Sequence, residues 1–216
     1  ANSNQEIIDK FQAITGIIER RYADENHNTS DLATFAAENS IKSANIDKET
    51  LDYIIVAHNF GEIEANSNNY IALPSVASLV KHKLGIENPN CVAYDLIFGC
   101  PGWVEGVIQS SAYIKSGMAK KCLVIGADTL SRTVDSNDRD SMIFADGAGA
   151  SIIEKSTENG GILSHKTVTY AGKEALYLFA DRSYNPESKS NVKHIKMNGR
   201  KVYESVSYTH LTLPTM

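Results

Sequence analysis

Residues 91–117, CVAYDLIFGCPGWVEGVIQSSAYIKSG, constrain the chain more than any other stretch, because they ask for a strand, a sharp bend and a helix in immediate succession. Apolar and β-favouring residues run from Cys91 to Phe98, Gly99 allows the bend, and Cys100 stands where a helix can begin. Pro101 suits the first helical position, where its missing amide would have no intrahelical partner anyway. Gly102, Gly106 and Ser110 then recur every fourth residue, a thin stripe that lets another element pack very close. Val107, Ala112 and Ile114 add apolar bulk on other faces, so the helix is predicted to be buried on most sides. A thiol at the positive end of such a helix has its thiolate stabilised by the helix field and by free backbone amides, and the same amides can hold an oxyanion. The residues by themselves leave a second reading open, in which Cys100 fills the core as a small hydrophobe.

The rest of the chain bounds the setting. Its 216 residues are 42% hydrophobic, enough for a core of one large domain. Lys plus Arg number 21 against 26 Asp plus Glu, a formal charge of −5, and the basic residues are scattered, which excludes a general nucleic-acid partner. Three cysteines, Cys91, Cys100 and Cys122, are odd in number and lack C-x-x-C spacing, so neither a disulfide framework nor a zinc or other metal site is expected, and a reducing cytoplasm fits best. No run approaches the roughly 18 to 20 apolar residues of a membrane span. No signal-peptide pattern opens the chain, which begins without Met and is expected to lack its native N-terminus.

Around the central stretch the pattern alternates strand and helix. A short helix is predicted from Asn4 to Phe11, ended at Thr15-Gly16, with Ile17 to Tyr22 either strand or connector. The start signal Thr29-Ser30-Asp31 opens a helix over Ser30 to Ser43 with Leu32, Phe35, Ala36 and Ile41 on one face. Asp52 to Ala57 and Lys121 to Ala127 read as buried parallel strands. Pro74 to Leu84 reads as a helix closed by Gly85. Residues 58–70, HNFGEIEANSNNY, read as a long exposed loop, and residues 128–140 as a second polar loop. Met142 to Ile153 is an apolar run in which Gly147 and Gly149 serve close backbone approach rather than phosphate binding, since neither G-x-G-x-x-G nor Gly-Lys-Ser/Thr is present. A further strand is predicted over residues 161–171, antiparallel across an Asn159-Gly160 turn. Beyond a loop from Asp181 to Asn191, residues 192–197 read as extended and residues 198–203 as a helix start. This succession predicts an α/β layered domain.

The motifs IFGCPGW, KKCLVIGADTLSR, DSNDRD and FADGAGA, with ITGIIERR before them and MNGRKVY after, resemble in residue and order the beta-ketoacyl-acyl carrier protein synthase III family of thiolase-like condensing enzymes. The resemblance covers residues 4–206 and implies the first of two pseudo-repeated halves, a mixed five-stranded sheet with helices on both faces, its opening strand missing. It implies that Cys100 is the nucleophile: an acyl thioester primer acylates its sulfur, and malonyl-acyl carrier protein loses carbon dioxide and attacks the acyl-enzyme. It implies substrate contacts at Thr15, Leu73, Trp103 and Arg139, no cofactor beyond the coenzyme A or carrier-protein thioesters that are substrates, acyl carrier protein as partner, a homodimer, and a cytoplasmic location with no membrane association. Arg139 has a structural alternative in an ion pair with Asp135 or Asp138. Lys10 and Ile14 stand where family members that take a coenzyme A primer carry a Trp and an Arg, Trp103 replaces a usual Phe, and the 58–70 segment is enlarged.

The catalytic His and Asn that the family draws from its second half have no match, and the six histidines read as solvated or incidental. The chain is therefore expected to be an N-terminal fragment inactive alone, residues 207–216 (SYTHLTLPTM) a non-native tail, with residues 1–206 the domain. The alternative function is a catalytically silent condensing-enzyme subunit that sets chain length, against which the presence of Cys100 counts. An unrelated cysteine hydrolase would need a G-x-S-x-G-like elbow or a paired His that the sequence does not show.

Overall fold

The run YIIVAH is apolar on both sides of its pleat, which a strand tolerates only when helices cover both faces of its sheet. The computed structural model describes residues 3–65, 67, 69–156 and 161–211. The chain forms two compact units, the larger made of Arg21–Arg132 and Ala145–Thr167. At its centre β1 (Tyr53–His58) lies parallel to β4 (Val92–Ile97) on one side and β5 (Lys121–Thr129) on the other, with Tyr53 opposite both Val92 and Cys122. Strand β6 (Asp146–Glu154) closes antiparallel on β5, giving the order β4-β1-β5-β6. The layered α/β architecture and the mixed sheet are as expected; of the five strands anticipated, four pair among the described residues.

Strand parity divides the core. Ile54 and Val56 of β1 and Leu123, Ile125 and Ala127 of β5 pack with Ala33 and Ala37 of α2 (Thr29–Ala44) and with Val76, Ala77 and Val80 of α3 (Val76–Lys83). The opposite face, with Ile55, Ala57 and Val124, receives α4 (Gly102–Lys115) through the predicted stripe. A Cβ on Gly102 would lie 2.9 Å from that of Ala57, and one on Gly106 would lie 2.8 Å from Val124 Cγ1, too close for any side chain. Only Gly102, Gly106 and Ser110 are buried in α4, while Trp103, Val104 and Ala112 are exposed. The expectation of burial on most sides was therefore too broad. The helix packs mainly on the strands, and one narrow contact line is all that a sheet offers to a cylinder.

Two loop expectations also change. Residues 58–70 are not simply exposed: His58, Gly61, Glu62 and Ile63 are buried, and β2 (Glu62–Ile63) pairs antiparallel with β3 (Tyr70–Ile71). Glu62 turns inward because its carboxylate accepts from the Ser30 amide at 2.8 Å and the Ser30 hydroxyl at 2.7 Å, at the start of α2. Asp128 and Thr129 belong to β5 rather than to the polar loop after it. No strand forms over residues 161–171, where Leu163 is 95% exposed, so the apolar alternation meets no core surface that would hold it in a ladder. The Asn159-Gly160 turn lies outside the described residues.

The smaller unit comprises Ala1–Arg20, Thr133–Phe144 and Val168–Met216. Its α1 (Asn4–Thr15) starts at a reciprocal Ser3 and Glu6 capping box and stops at Gly16, whose φ of 71° only glycine adopts freely. Strands β7 (Leu178–Asp181) and β8 (His194–Met197) pair antiparallel ahead of α5 (Gly199–Leu211). The backbone of α5 runs to Leu211, past the change of character predicted at Ser207, while residues 212–216 of that tail lie outside the described ones. Gly106→Ala should destabilise the larger unit by about 1–3 kcal/mol, the cost of overpacking a close contact. Gly147→Ala, where an added Cβ meets nothing within 4 Å, should stay within about 0.5 kcal/mol; urea unfolding of the two variants checks both.

Candidate active site

Ligands of α/β sheets bind where parallel strands end, because there the chain turns and leaves backbone groups and side chains pointing into a crevice. In the larger unit β4 ends at Ile97, and Gly99, at a φ of 68°, reverses the chain. The Gly102 amide donates to the Gly99 carbonyl at 3.0 Å and the Glu105 amide to that of Pro101 at 3.1 Å, so α4 starts one residue later than predicted, with Pro101 as its N-cap. Cys100 is thus held two residues ahead of the helix, and it is exposed. Cys91 and Cys122 are buried instead, and burial pushes both thiols up, that of Cys122 to about 11. The core-filling role belongs to those two cysteines.

Cys100 opens into a cavity of about 280 Å³ whose other walls include Asn59, Trp103, Gly126, Asp128 and Gly149. Gly126 matters to its shape. A Cβ there would lie 3.4 Å from the Trp103 Cβ, in ordinary contact, so Trp103 sits directly over β5 at this point. Asp128 is the charged wall: burial raises its carboxyl above the ordinary range, partly opposed by hydrogen bonds from Asn59. The structure thus brings Cys100 and Trp103 together. Leu73 is in the same unit and exposed, outside the residues that line the cavity. Thr15 and Arg139 belong to the smaller unit. The Thr15 hydroxyl donates to the Phe11 carbonyl at 2.7 Å and accepts from the Ile17 amide at 3.1 Å, finishing α1.

Arg139 has a side chain 79% exposed and approaches Asp140 at 3.7 Å. Its anticipated alternative partners are taken by Lys196, a residue the sequence did not single out. The Lys196 ammonium is buried, 2.6 Å from Asp135 and 3.3 Å from Asp138, and 3.6 Å from the centre of the Tyr184 ring. Burial works to raise the Asp135 carboxyl, but bonds from Lys196, from the Tyr184 and Asn137 amides and from Ser183 hold it well below the ordinary range.

One histidine corrects the expectation that all are solvated or incidental. His58, the last residue of β1, is buried with Nε2 2.9 Å from Asp95. That carboxylate also accepts from the Val76 and Ala77 amides that open α3. His58 shares strand parity with Ile54 and Val56, and that period of two was the signal available in the sequence. Among the described residues no group of three or more His, Cys, Asp and Glu is arranged to hold a metal, and no helix is long and apolar enough to cross a membrane.

A sequence model of the family described as 3-Oxoacyl-[acyl-carrier-protein (ACP)] synthase III matches residues 94–171, which carry the elbow, α4, β5 and β6. Beta-ketoacyl-[acyl-carrier-protein] synthase III 1 of Vibrio parahaemolyticus is 46% identical over 154 residues, covering 71% of this chain and 46% of that protein. The chain belongs to the 3-oxoacyl-[acyl-carrier-protein] synthase III family. The synthase III of Caldanaerobacter subterraneus is 37% identical over 196 residues, 88% of this chain and 56% of that protein. The crystal structure of the Aquifex aeolicus synthase III superposes with a TM-score of 0.76 at 32% identity, covering 94% of this chain and 62% of that one. The chain spans about half the length of the curated relatives it matches.

The Lys196 network sets a pH dependence. A carboxyl whose folded value is lowered stabilises the fold above its unfolded value, near pH 4, and loses that contribution as pH falls through the lowered folded value. Asp135→Asn should cost about 3 kcal/mol at neutral pH by leaving the Lys196 charge poorly paired, and the difference from the native protein should shrink below about pH 4. Arg139→Ala, at an exposed pair, should stay within about 0.5 kcal/mol. Urea unfolding across that pH range measures all three.

Proposed function

We propose that this chain carries the nucleophilic half of a condensing site, with Cys100 as the residue that accepts an acyl group from a thioester. The reading rests on one observation: of the three cysteines, Cys100 alone is exposed, and it faces a cavity at the strand-to-helix corner. The Cys100 thiolate attacks the thioester carbonyl, the carbon-sulfur bond to the carrier breaks, and the carrier thiol leaves with a proton. Malonyl-acyl carrier protein then loses carbon dioxide, and the resulting enolate carbon attacks the acyl-Cys100 carbonyl, releasing the 3-oxoacyl thioester and restoring the thiolate. The relatives' names, all 3-oxoacyl or beta-ketoacyl carrier-protein synthases, support that reaction class.

Within this reading Trp103 shapes the acyl end of the cavity, and Thr15, Leu73 and Arg139 meet the rest of the primer or its carrier. Acyl carrier protein delivers the malonyl group, the assembly is a cytoplasmic homodimer, and no cofactor takes part. On this reading the 216 residues alone turn over poorly or not at all. Intact-mass spectrometry of the full-length protein offered a panel of acyl thioesters should show one acyl mass added, lost in Cys100→Ala together with condensation. Retained condensation in that variant would reject the assignment.

A further inference from the structure

The sheet order β4-β1-β5 places the ends of three parallel strands side by side, and the middle one carries an unusual polar contact. Asn59 follows the last residue of β1, with Gly99 beyond the end of β4 on one flank and Asp128 near the end of β5 on the other. Two consecutive residues donate to the Asp128 carboxylate: the Asn59 amide at 3.0 and 3.2 Å, Asn59 Nδ2 at 2.7 Å, and the Phe60 amide at 3.4 Å. With Nδ2 committed to a carboxylate, the Asn59 side chain has one orientation, and its Oδ1 must face the other way. That oxygen lies 3.6 Å from the position a Cβ would take on Gly99, on the inner side of the bend that presents Cys100.

We propose that Asp128 and Asn59 are a coupled positioning pair for Cys100: Asp128 sets the Asn59 amide, and Asn59 braces the Gly99 bend from inside the cavity. Both residues line the same cavity as the thiol. Burying a carboxylate there is costly, and closing three strand ends does not require one, since apolar side chains would do it without desolvating a charge. What the carboxylate adds is direction, because an acceptor-only group admits a single amide orientation. Two titratable groups lie near it: His58, on the opposite side of the sheet, whose charge favours the ionised form, and Cys100, which shares the cavity. The inference rests on the acyl-thioester reading of Cys100, and it predicts that the pair governs how fast the thiol is acylated rather than how tightly the thioester binds.

Acylation of the full-length protein by a short-chain acyl thioester, followed by intact mass against time and thioester concentration, tests the pair. Asp128→Asn and Asn59→Ala should each slow acylation at saturating thioester about 10–100-fold, the scale of a misplaced reacting group, with apparent KM little changed. The double variant should be no slower than the slower single one. The native rate should fall as pH drops through the Asp128 titration, above the ordinary carboxylate range, and that limb should vanish in Asp128→Asn. Unchanged rates, additive losses, or an effect on KM alone, with native protein still loading at Cys100, would overturn the pair and leave the proposed function standing. Native protein that takes up no acyl group from any thioester offered would refute both. Should Asp128→Asn fail to fold, Asn59→Ala decides alone, since it keeps the backbone donors to Asp128 and an unchanged rate there overturns the inference.

Discussion

The larger unit depends on how closely α4 lies on the sheet. At Gly102 and Gly106 the helix backbone comes near enough to Ala57 and Val124 that a single added carbon would collide. Because packed interiors cannot absorb such a change without moving a backbone, this contact fixes both the height and the azimuth of the helix. Its N-terminus is therefore placed over the C-terminal ends of β1 and β5, and the residue that leads into it, Cys100, is placed with it. The position of the thiol is thus a packing consequence before it is a chemical one. A looser helix would leave the cavity without a defined wall, since Trp103 reaches over Gly126 only because the same helix is seated this low.

Much of this was legible in the sequence. The every-fourth-residue stripe is a geometric statement that one chain carries alone, and the bend at Gly99 ahead of Cys100 follows from residue types that have few other uses, while the exposure of Cys100 was left open. The strands Tyr53–His58 and Lys121–Thr129 announced themselves as unbroken apolar runs. What the sequence hid were the polar residues that end those runs. His58 and Asp128 read as the first residues of loops because they are polar, yet strand parity continues through both, and the structure buries His58 and sets Asp128 in the cavity wall. Glu62 and Lys196 were hidden for a related reason: a buried charge is tolerated only when its partners arrive from distant parts of the chain, such as Ser30 for Glu62 or Asp135 for Lys196, and no local pattern records that arrival. The strand predicted over residues 161–171 failed from the opposite cause, a local pattern with no tertiary surface to receive it.

The two faces of the sheet divide labour at the strand ends. On the α2 and α3 face, His58 and Asp95 form a closed polar contact beneath the first turn of α3, where the carboxylate meets two helix amides and holds the helix start to β4. On the α4 face, at the same level, Asn59 and Asp128 line open space beside Cys100. Consecutive residues His58 and Asn59 thus point to opposite sides of the sheet, one finishing the core and one facing the cavity, as the period of two requires.

This division bears on why the cavity can be polar at one end at all. A half-buried carboxylate is tolerable at a strand end only if its charge is met by donors. The Asp128 oxygens are turned to three N–H donors of Asn59 and Phe60, and burial already shifts the group toward its neutral form. The first compensates the charge locally, and the second favours its loss as pH falls. The surroundings of Cys100 are therefore shaped by two features that reach it through the backbone, the seating of one helix and the orientation of one amide.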